Sequence, residues 1–391
     1  MTDILTNIKK QAVAAAEAGL NLAALDMGPV RIESGAIREV TPYLTEMNYR
    51  QVSVVSDSIT YEIAGSALIA SIIESGIHAH STIIKPNPNG DVIADEVSLI
   101  QLLLDIRLHA SEVVIAAGSG TLHDIARFAA YTTGIPFLSV PTAPSVDGFN
   151  SKGAPVIVRG EKITIPSIGP DAIFADLDIL THAPSELVAA GFGDMLGKYT
   201  SLLDWKFGSL AGGEPYSPLV AELTWNALQR CIDNVDEIAA RSTTGIRILT
   251  GALLESGFAM LLFGQSHSAS GAEHHLSHYW EMEYLKLGRR QLLHGAKVGV
   301  ACAEIAKLYH RLAAEQLPSV FGTEQAKIVH EIGQLPDEHE ISSLLRKVGG
   351  PDYPAKLGID EELLMRSLRE AHHIRPNRYT LLRAYNESMK S

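Results

Sequence analysis

The chain has 391 residues, 46% of them hydrophobic, 20% charged and 6% aromatic; that balance can bury a large core, argues against disorder, and the length suits two or three domains. With 45 acidic against 32 basic residues the formal charge is −13, so the overall field repels nucleic-acid backbones and anionic membranes. Two cysteines, Cys231 and Cys302, are too few for a disulfide scaffold and fit a reducing cytosol, placing the protein in the cytoplasm.

The N-terminal stretch lacks a signal peptide's charged start, apolar centre and cleavage site in order, and reads as an added helix. No apolar run approaches the ~18–20 residues of a membrane span. Up to about residue 180, short β-branched runs alternate with helical patterns, the mark of βα units and a mostly parallel sheet. The expected strands are Gln51–Ser56, Ser81–Lys85, Glu112–Ala117, Phe137–Pro141, Ala154–Val158, Ile163–Pro166 and Ala172–Asp176. Helical spacing falls around Tyr61–Gly76, Asp91–His109 and Thr121–Thr132. From Ala183 onward helical patterns dominate, which puts a domain boundary near residue 182; Pro184-Ser185-Glu186 reads as a helix start and Gly212-Gly213 as a stop. The segment Arg366–Ser391 is mildly basic and reads as a solvated helix with a frayed end.

Five stretches carry chemistry. In Glu112-Val-Val-Ile-Ala-Ala-Gly118-Ser119-Gly120-Thr121-Leu122-His123-Asp124 a strand turns through two glycines into a helix, presenting N–H groups to an anion; the third glycine of the dinucleotide fingerprint is missing. Asp57, just past a strand, suits a ribose hydroxyl or a helix N-cap equally. The stretch from Thr142 through Ser145, Asp147 and Ser151 to Lys152 leaves a strand as a proline-stiffened polar loop suited to holding a ligand. Gly191, Gly193 and Gly197 flank Asp194 inside a helical pattern, which signals close backbone approach. Finally, five of the 15 histidines fall between His267 and His294, where an even spread would leave about one. On a helix His274 and His278 share a face and His275 points elsewhere. That makes a ligand and a site neighbour; with His294 and Asp194 the set has three N/O donors and an open position, the pattern of a catalytic metal site.

In this order and spacing the motifs Gly118-Ser-Gly-Thr-x-x-Asp124, Pro141-Thr-x-x-Ser145-x-Asp147-Gly-x-x-Ser151, Gly193-Asp194, Glu273-His274-x-x-x-His278 and His294-Gly-x-x-Val-Gly299 resemble the sn-glycerol-1-phosphate dehydrogenase family. That family lies within the superfamily of glycerol dehydrogenase, iron-type alcohol dehydrogenases and dehydroquinate synthase. The resemblance implies a Rossmann-like α/β domain (1–182) ahead of an all-α domain (183–391), with the site in the cleft between them. It implies metal on Asp194, His274 and His294, and NAD(P) over Asp57, Gly118, Ser119, Gly120, Thr121, Leu122, Thr142, Ser145 and Ser151. Asp147, Asp194 and His278 then face the substrate, with Asp194 and His278 as the catalytic pair; His278 passes a proton, its titration expected in the working range. The long N-terminal helix and His294-Gly-Ala-Lys look closer to the bacterial branch, which implies nickel ahead of zinc and a homodimer. The implied reaction is reversible NADH- or NADPH-linked reduction of dihydroxyacetone phosphate to sn-glycerol 1-phosphate for ether-type glycerophospholipid synthesis. A glycerol or other polyol dehydrogenase uses the same site, and a non-catalytic NAD- or metal-binding regulatory module is the reading from a different class. Lys152, Lys162 and Lys198 are the candidate phosphate contacts.

Overall fold

The computed structural model describes residues 4–15, 19–315 and 318–389; residues 1–3 and 16–18 of the expected N-terminal helix and residues 390–391 of the C-terminal segment lie outside them. Six strands, β1 (Val30–Glu33), β2 (Gln51–Ser56), β3 (His78–Ile83), β4 (Val113–Gly118), β5 (Phe137–Pro141) and β8 (Ala172–Asp176), form one sheet in the order β1-β8-β5-β4-β2-β3. Every pairing in it is parallel. The central strands β4, β5 and β8 are buried throughout, as an α/β sheet covered on both faces requires. The chain leaves β2 outward to β3 and then crosses back to β4 on β2's other side, so the order reverses between β2 and β4, where such sheets bind ligands beyond their carboxyl ends.

Strands β2, β5 and β8 match their sequence-based bounds, and two differences have physical causes. Strand β1 is a short edge strand with alternating burial, too brief for a periodic signal. Strand β3 begins at His78 rather than Ser81 because its register is fixed by pairing Gln51 with His78, and its polar first half hides it. Strands β6 (Gly153–Val158) and β7 (Glu161–Pro166) pair with each other antiparallel as a separate hairpin.

The helices of eight residues or more, in chain order, are α1 (Ile4–Ala15), α2 (Ser66–Glu74), α3 (Glu96–Leu108), α4 (Gly120–Thr133), α5 (Ser185–Leu196), α6 (Lys198–Gly212), α7 (Pro218–Asp233), α8 (Thr243–Phe263), α9 (Ala272–Lys286), α10 (His294–Glu315), α11 (Gln325–Ile332), α12 (Glu338–Lys347), α13 (Glu361–Glu370) and α14 (Leu381–Ser388). Helix α1 packs Leu5, Ile8 and Ala12 into a cluster with Val220 of α7 and Leu254 and Phe258 of α8, so it rests on the helical half of the molecule. Helix α8 corrects the expectation that no apolar stretch reaches membrane-span length. It has 21 residues and contains an 18-residue window with a mean hydropathy of 1.6, 78% of which is buried inside the protein. It is apolar over most of its surface because other elements surround it, with Arg247 and Glu255 held by Ile32 O and Arg230.

The C-terminal segment is not a solvated helix. Leu381 and Leu382 are fully buried, and the Leu381 N–H donates to Asp204 Oδ1 on α6 (2.9 Å). The same carboxylate accepts from the Ala272 N–H that opens α9 (2.7 Å) and from the Tyr309 hydroxyl on α10 (2.7 Å).

Candidate active site

A cleft of about 640 Å³ runs from the carboxyl edge of the sheet to the first turns of α9 and α10. At its sheet end, α4 starts directly after β4. Its N-cap Ser119 makes no side-chain hydrogen bond to the helix, which leaves first-turn N–H groups and the positive helix end facing the cleft for an anion. Asp57, Ser119, Gly120, Thr121, Leu122, Ser145 and Ser151 line this end. Gly118 and Thr142 do not; the Thr142 N–H donates to Gly118 O (3.1 Å) and ties two strand ends together behind the lining. Asp57 is an N-cap, as one of its two sequence readings had it: Oδ1 accepts from the N–H groups of Ile59 and Thr60. Because the residue also borders the cleft, that role leaves Oδ2 for a ligand.

His123 and Asp124, which stand where the fingerprint's third glycine belongs, have structural work. His123 Nδ1 donates to Ser119 O (2.9 Å) while Nε2 accepts from the Ser139 hydroxyl (2.7 Å). Burial pushes this imidazole down to about 3, so it is neutral. Asp124 pairs with the buried Arg127, which also donates to the carbonyls of Gly148, Phe149 and Gly153. This clamp holds the polar loop against α4.

At the helical end, Asp194 on α5, His274 on α9 and His294 at the start of α10 bring one ligand atom each within 4.8 Å of one another. The glycines around Asp194 explain how. A Cβ on Gly193 would lie 2.4 Å from Gly295 O, and one on Gly295 would lie 1.8 Å from Ala190 O; only glycine lets α5 and α10 approach closely enough to share a ligand set.

The donor chemistry fits a divalent ion. His274 Nε2 and His294 Nε2 lie 3.7 and 4.0 Å from Asp194 Oδ1, too far to hydrogen-bond and within the ~4.0–4.4 Å that two metal–ligand bonds of 2.0–2.2 Å can span. Asp194 Oδ2 is taken by the Asp147 N–H (2.9 Å), which aims Oδ1 at the histidines. His274 Nδ1 donates to Glu273 Oε1 (2.7 Å), which fixes the tautomer that presents the Nε2 lone pair. Glu273 was part of the sequence motif but had no assigned role. A second donor group, His278, Glu281 and His294, fits less well because Lys162 and Lys297 hold Glu281 at 2.8 and 2.9 Å. Burial alone would raise the Glu281 carboxyl; those lysines and His278 hold it well below the usual range.

Lys198 is wholly buried and donates to Asp147 Oδ2 (2.7 Å), Asp194 Oδ1 (3.4 Å) and Ala269 O (3.2 Å). Burial opposes its charge, yet the two carboxylates hold the ammonium above its ordinary value. It steadies the acids and has no donor left for a phosphate, which removes it from the phosphate contacts expected from sequence. Asp147, further held by the Ser256 hydroxyl (2.8 Å), is pushed up by burial and by Asp194.

His278 lines the cleft with its ring centroid 6.2 Å from His274 and 5.8 Å from His294. Burial, then Lys162 and Arg375, push it well below its ordinary value. This corrects the expectation that its titration falls in the working range; the resident form is the neutral imidazole. His275 faces away, as its helical spacing implies, fully buried with neither ring nitrogen paired, and His267 lies outside the metal group. Arg375, from the C-terminal segment, borders the cleft beside His278; a lone arginine beyond every motif carries no sequence signal.

The sequence profile of the iron-containing alcohol dehydrogenases matches residues 31–184. Glycerol-1-phosphate dehydrogenase (NAD(P)+) of Geobacillus stearothermophilus is 48% identical over 366 residues, covering 90% of both chains. The protein of the same name from Pyrococcus furiosus is 33% identical over 331 residues, covering 85% of each. Among solved structures, a probable glycerol dehydrogenase from Sinorhizobium meliloti superposes with a TM-score of 0.67 over 93% of this chain and 95% of its own, at 17% identity, a likeness of fold. The chain belongs to the glycerol-1-phosphate dehydrogenase family, on the fold of the iron-containing alcohol dehydrogenases.

Proposed function

We propose that the protein catalyses the reversible NAD(P)H-linked reduction of dihydroxyacetone phosphate to sn-glycerol 1-phosphate, a glycerolipid backbone. The observation that carries this reading is the Asp194–His274–His294 donor set at one end of a cleft whose other end is a dinucleotide-type strand–glycine–helix turn. A divalent ion held by those three residues supplies Lewis-acid polarisation of the ketone oxygen, and the dinucleotide supplies the hydride. Asp57, Ser119, Gly120, Thr121, Leu122, Ser145 and Ser151 hold the dinucleotide, while Gly118 and Thr142 shape the turn behind them. Asp147 and Lys198 fix Asp194, and the neutral His278 contacts the substrate and relays a proton to the product oxygen through water. Two imidazoles and one carboxylate suit nickel or zinc; the bacterial resemblance puts nickel first. The buried free thiols of Cys231 and Cys302 support a cytoplasmic setting.

The division into 1–182 and 183–391 follows the change from strands to helices, with α1 lent to the second part. A homodimer is supported by an apolar stripe on α3, where Val97, Ile100, Leu104 and Leu108 are 75, 53, 64 and 76% exposed along one helix face, a surface of the kind that a second copy can cover. Light scattering tests this. The reaction is tested by NADH absorbance with dihydroxyacetone phosphate, dihydroxyacetone and, in reverse with NAD, glycerol, each with and without chelator. Chelator-sensitive oxidation specific to the phosphate ester is expected; turnover only of the unphosphorylated polyols marks a polyol dehydrogenase, and no turnover marks a sensor.

A further inference from the structure

The reading above leaves open what recognises the phosphate. Five cationic side chains border the cleft: Lys152, Lys162, Arg290, Lys297 and Arg375. Lys162 and Lys297 are both committed to Glu281. Arg290 is paired with Asp91 at 2.9 Å and its side chain is 76% exposed. Among the described residues Lys152 and Arg375 have no carboxylate within ion-pair distance, and they differ in place. Lys152 follows Ser151 in the loop at the dinucleotide end. Arg375 Nη2 lies 3.5 Å from His278 Nε2, and Nη1 donates to the hydroxyls of Ser270 (2.8 Å) and Ser266 (3.3 Å). The His278 imidazole that this guanidinium approaches lies 6.2 Å from His274 and 5.8 Å from His294, ring centre to ring centre, so Arg375 and the metal ligands flank the same imidazole.

Arg375 is also held in place. Its neighbour Arg378 donates to Ser270 O (2.6 Å) and pairs with Glu214 (3.4 Å). The Tyr379 N–H donates to Glu214 Oε1 (2.7 Å). A cation fixed in a protein cleft with no carboxylate in contact is unfavourable until an anion arrives; burial and Arg378 push Arg375 down to about 10, and Glu273 offsets them only in part. The guanidinium fork matches a phosphate with two parallel N–H···O bonds, and the hydroxyls of Ser266 and Ser270 can donate to the same oxygens.

We infer that Arg375 receives the phosphate of the substrate and makes the enzyme selective for the phosphate ester over the free triose. This rests on the reading of the site as a glycerol-1-phosphate dehydrogenase, and the test separates the two. Metal-loaded wild type, Arg375→Ala, Arg375→Lys and Lys152→Ala are assayed with dihydroxyacetone phosphate and with dihydroxyacetone. Arg375→Ala is expected to lose roughly 30-fold or more in kcat/KM for the phosphate ester, mainly through KM, and to lose less for dihydroxyacetone, so that the ester-to-triose ratio of kcat/KM falls on the order of tenfold, with Arg375→Lys recovering part of the loss. An unchanged KM for the ester in Arg375→Ala, or a comparable rise only in Lys152→Ala, overturns the inference. Inorganic phosphate gives a readout without turnover. It should raise the melting temperature of wild type and not of Arg375→Ala; equal shifts in both, or none in wild type, overturn the inference whatever the activity. A wild type that shows the phosphate effect but reduces no dihydroxyacetone phosphate keeps the Arg375 anion site and refutes the proposed reaction.

Discussion

Glu273 touches no substrate in this arrangement, yet it should set the metal affinity. Its carboxylate is fully buried and accepts three hydrogen bonds: Oε1 from His274 Nδ1 and the Gly271 N–H, each at 2.7 Å, and Oε2 from the Thr200 hydroxyl at 2.7 Å. In Glu273→Gln the amide oxygen can replace Oε1. The amide nitrogen then faces Thr200 Oγ1, which can turn its proton toward Gly197 O (3.3 Å) and accept instead. The bonding pattern therefore survives and only the charge behind His274 is lost. Partners of ligating histidines are worth about 10–100-fold in metal affinity; with the geometry kept, the lower end applies, about 1.4 kcal/mol. Competition against a chromophoric chelator measures this, with circular dichroism as the fold control. Because Glu273 acts through His274, excess metal should restore most of the kcat. An affinity within twofold of wild type, or a lost kcat that metal does not restore, would refute the positioning argument.

The other expectations concern different parts of the cleft. His294→Ala should lose bound metal and activity together while keeping its circular dichroism spectrum, whereas His278→Ala should keep the metal and lose roughly 100-fold or more in kcat; metal analysis beside kinetics separates the two, and metal loss in both would show the roles misassigned. Asp57→Asn retains an N-cap, since Asn and Asp cap about equally well, but removes a carboxylate that a 2′-phosphate would meet; wild type should prefer NADH, and the variant's NADPH/NADH ratio of kcat/KM should rise, on the order of tenfold. For stability against pH, His123 carries a clear sign. Its folded value of about 3 lies below the ordinary ~6.5, so the unfolded chain takes up the proton first; its contribution is fully present above pH ~6.5 and is lost as pH falls toward the folded value. Between pH 7.5 and 5.0 this amounts to about 2 kcal/mol, and His123→Gln should narrow the corresponding difference in denaturation stability by that amount. An unchanged difference would count against a neutral buried imidazole.

Much of the site was legible because its chemistry lies in local motifs. Gly118-Ser119-Gly120 after an apolar run and His274 four residues before His278 declare their geometry through strand and helix periods. What stayed hidden is what long-range packing decides. Gly191 and Gly193 announce a close approach, but that their partners are Pro144 in the polar loop and Gly295 on α10 follows only from long-range packing. Lys198 looks like any surface lysine until burial reveals it between Asp147 and Asp194. Leu381 and Leu382 sit in a short amphipathic stretch whose apolar side has no visible partner in the sequence, so the segment around Arg375 read as solvent-facing. Strand β1 was missed for a related reason: four residues form a strand because β8 is there to pair with them.

The Asp204 carboxylate collects its hydrogen bonds from the residue that opens the His274 helix, from the helix that begins at His294, and from Leu381. The third of these follows every other residue of the site in chain order. Domains emerging from the ribosome fold in order, the N-terminal portion first, so the dinucleotide half can form early while this buried acid still lacks a donor. The shell of hydrogen bonds around Asp204 is therefore completed last, and a chain stopped short of Leu381 is expected to bind dinucleotide while holding the metal and the phosphate less firmly.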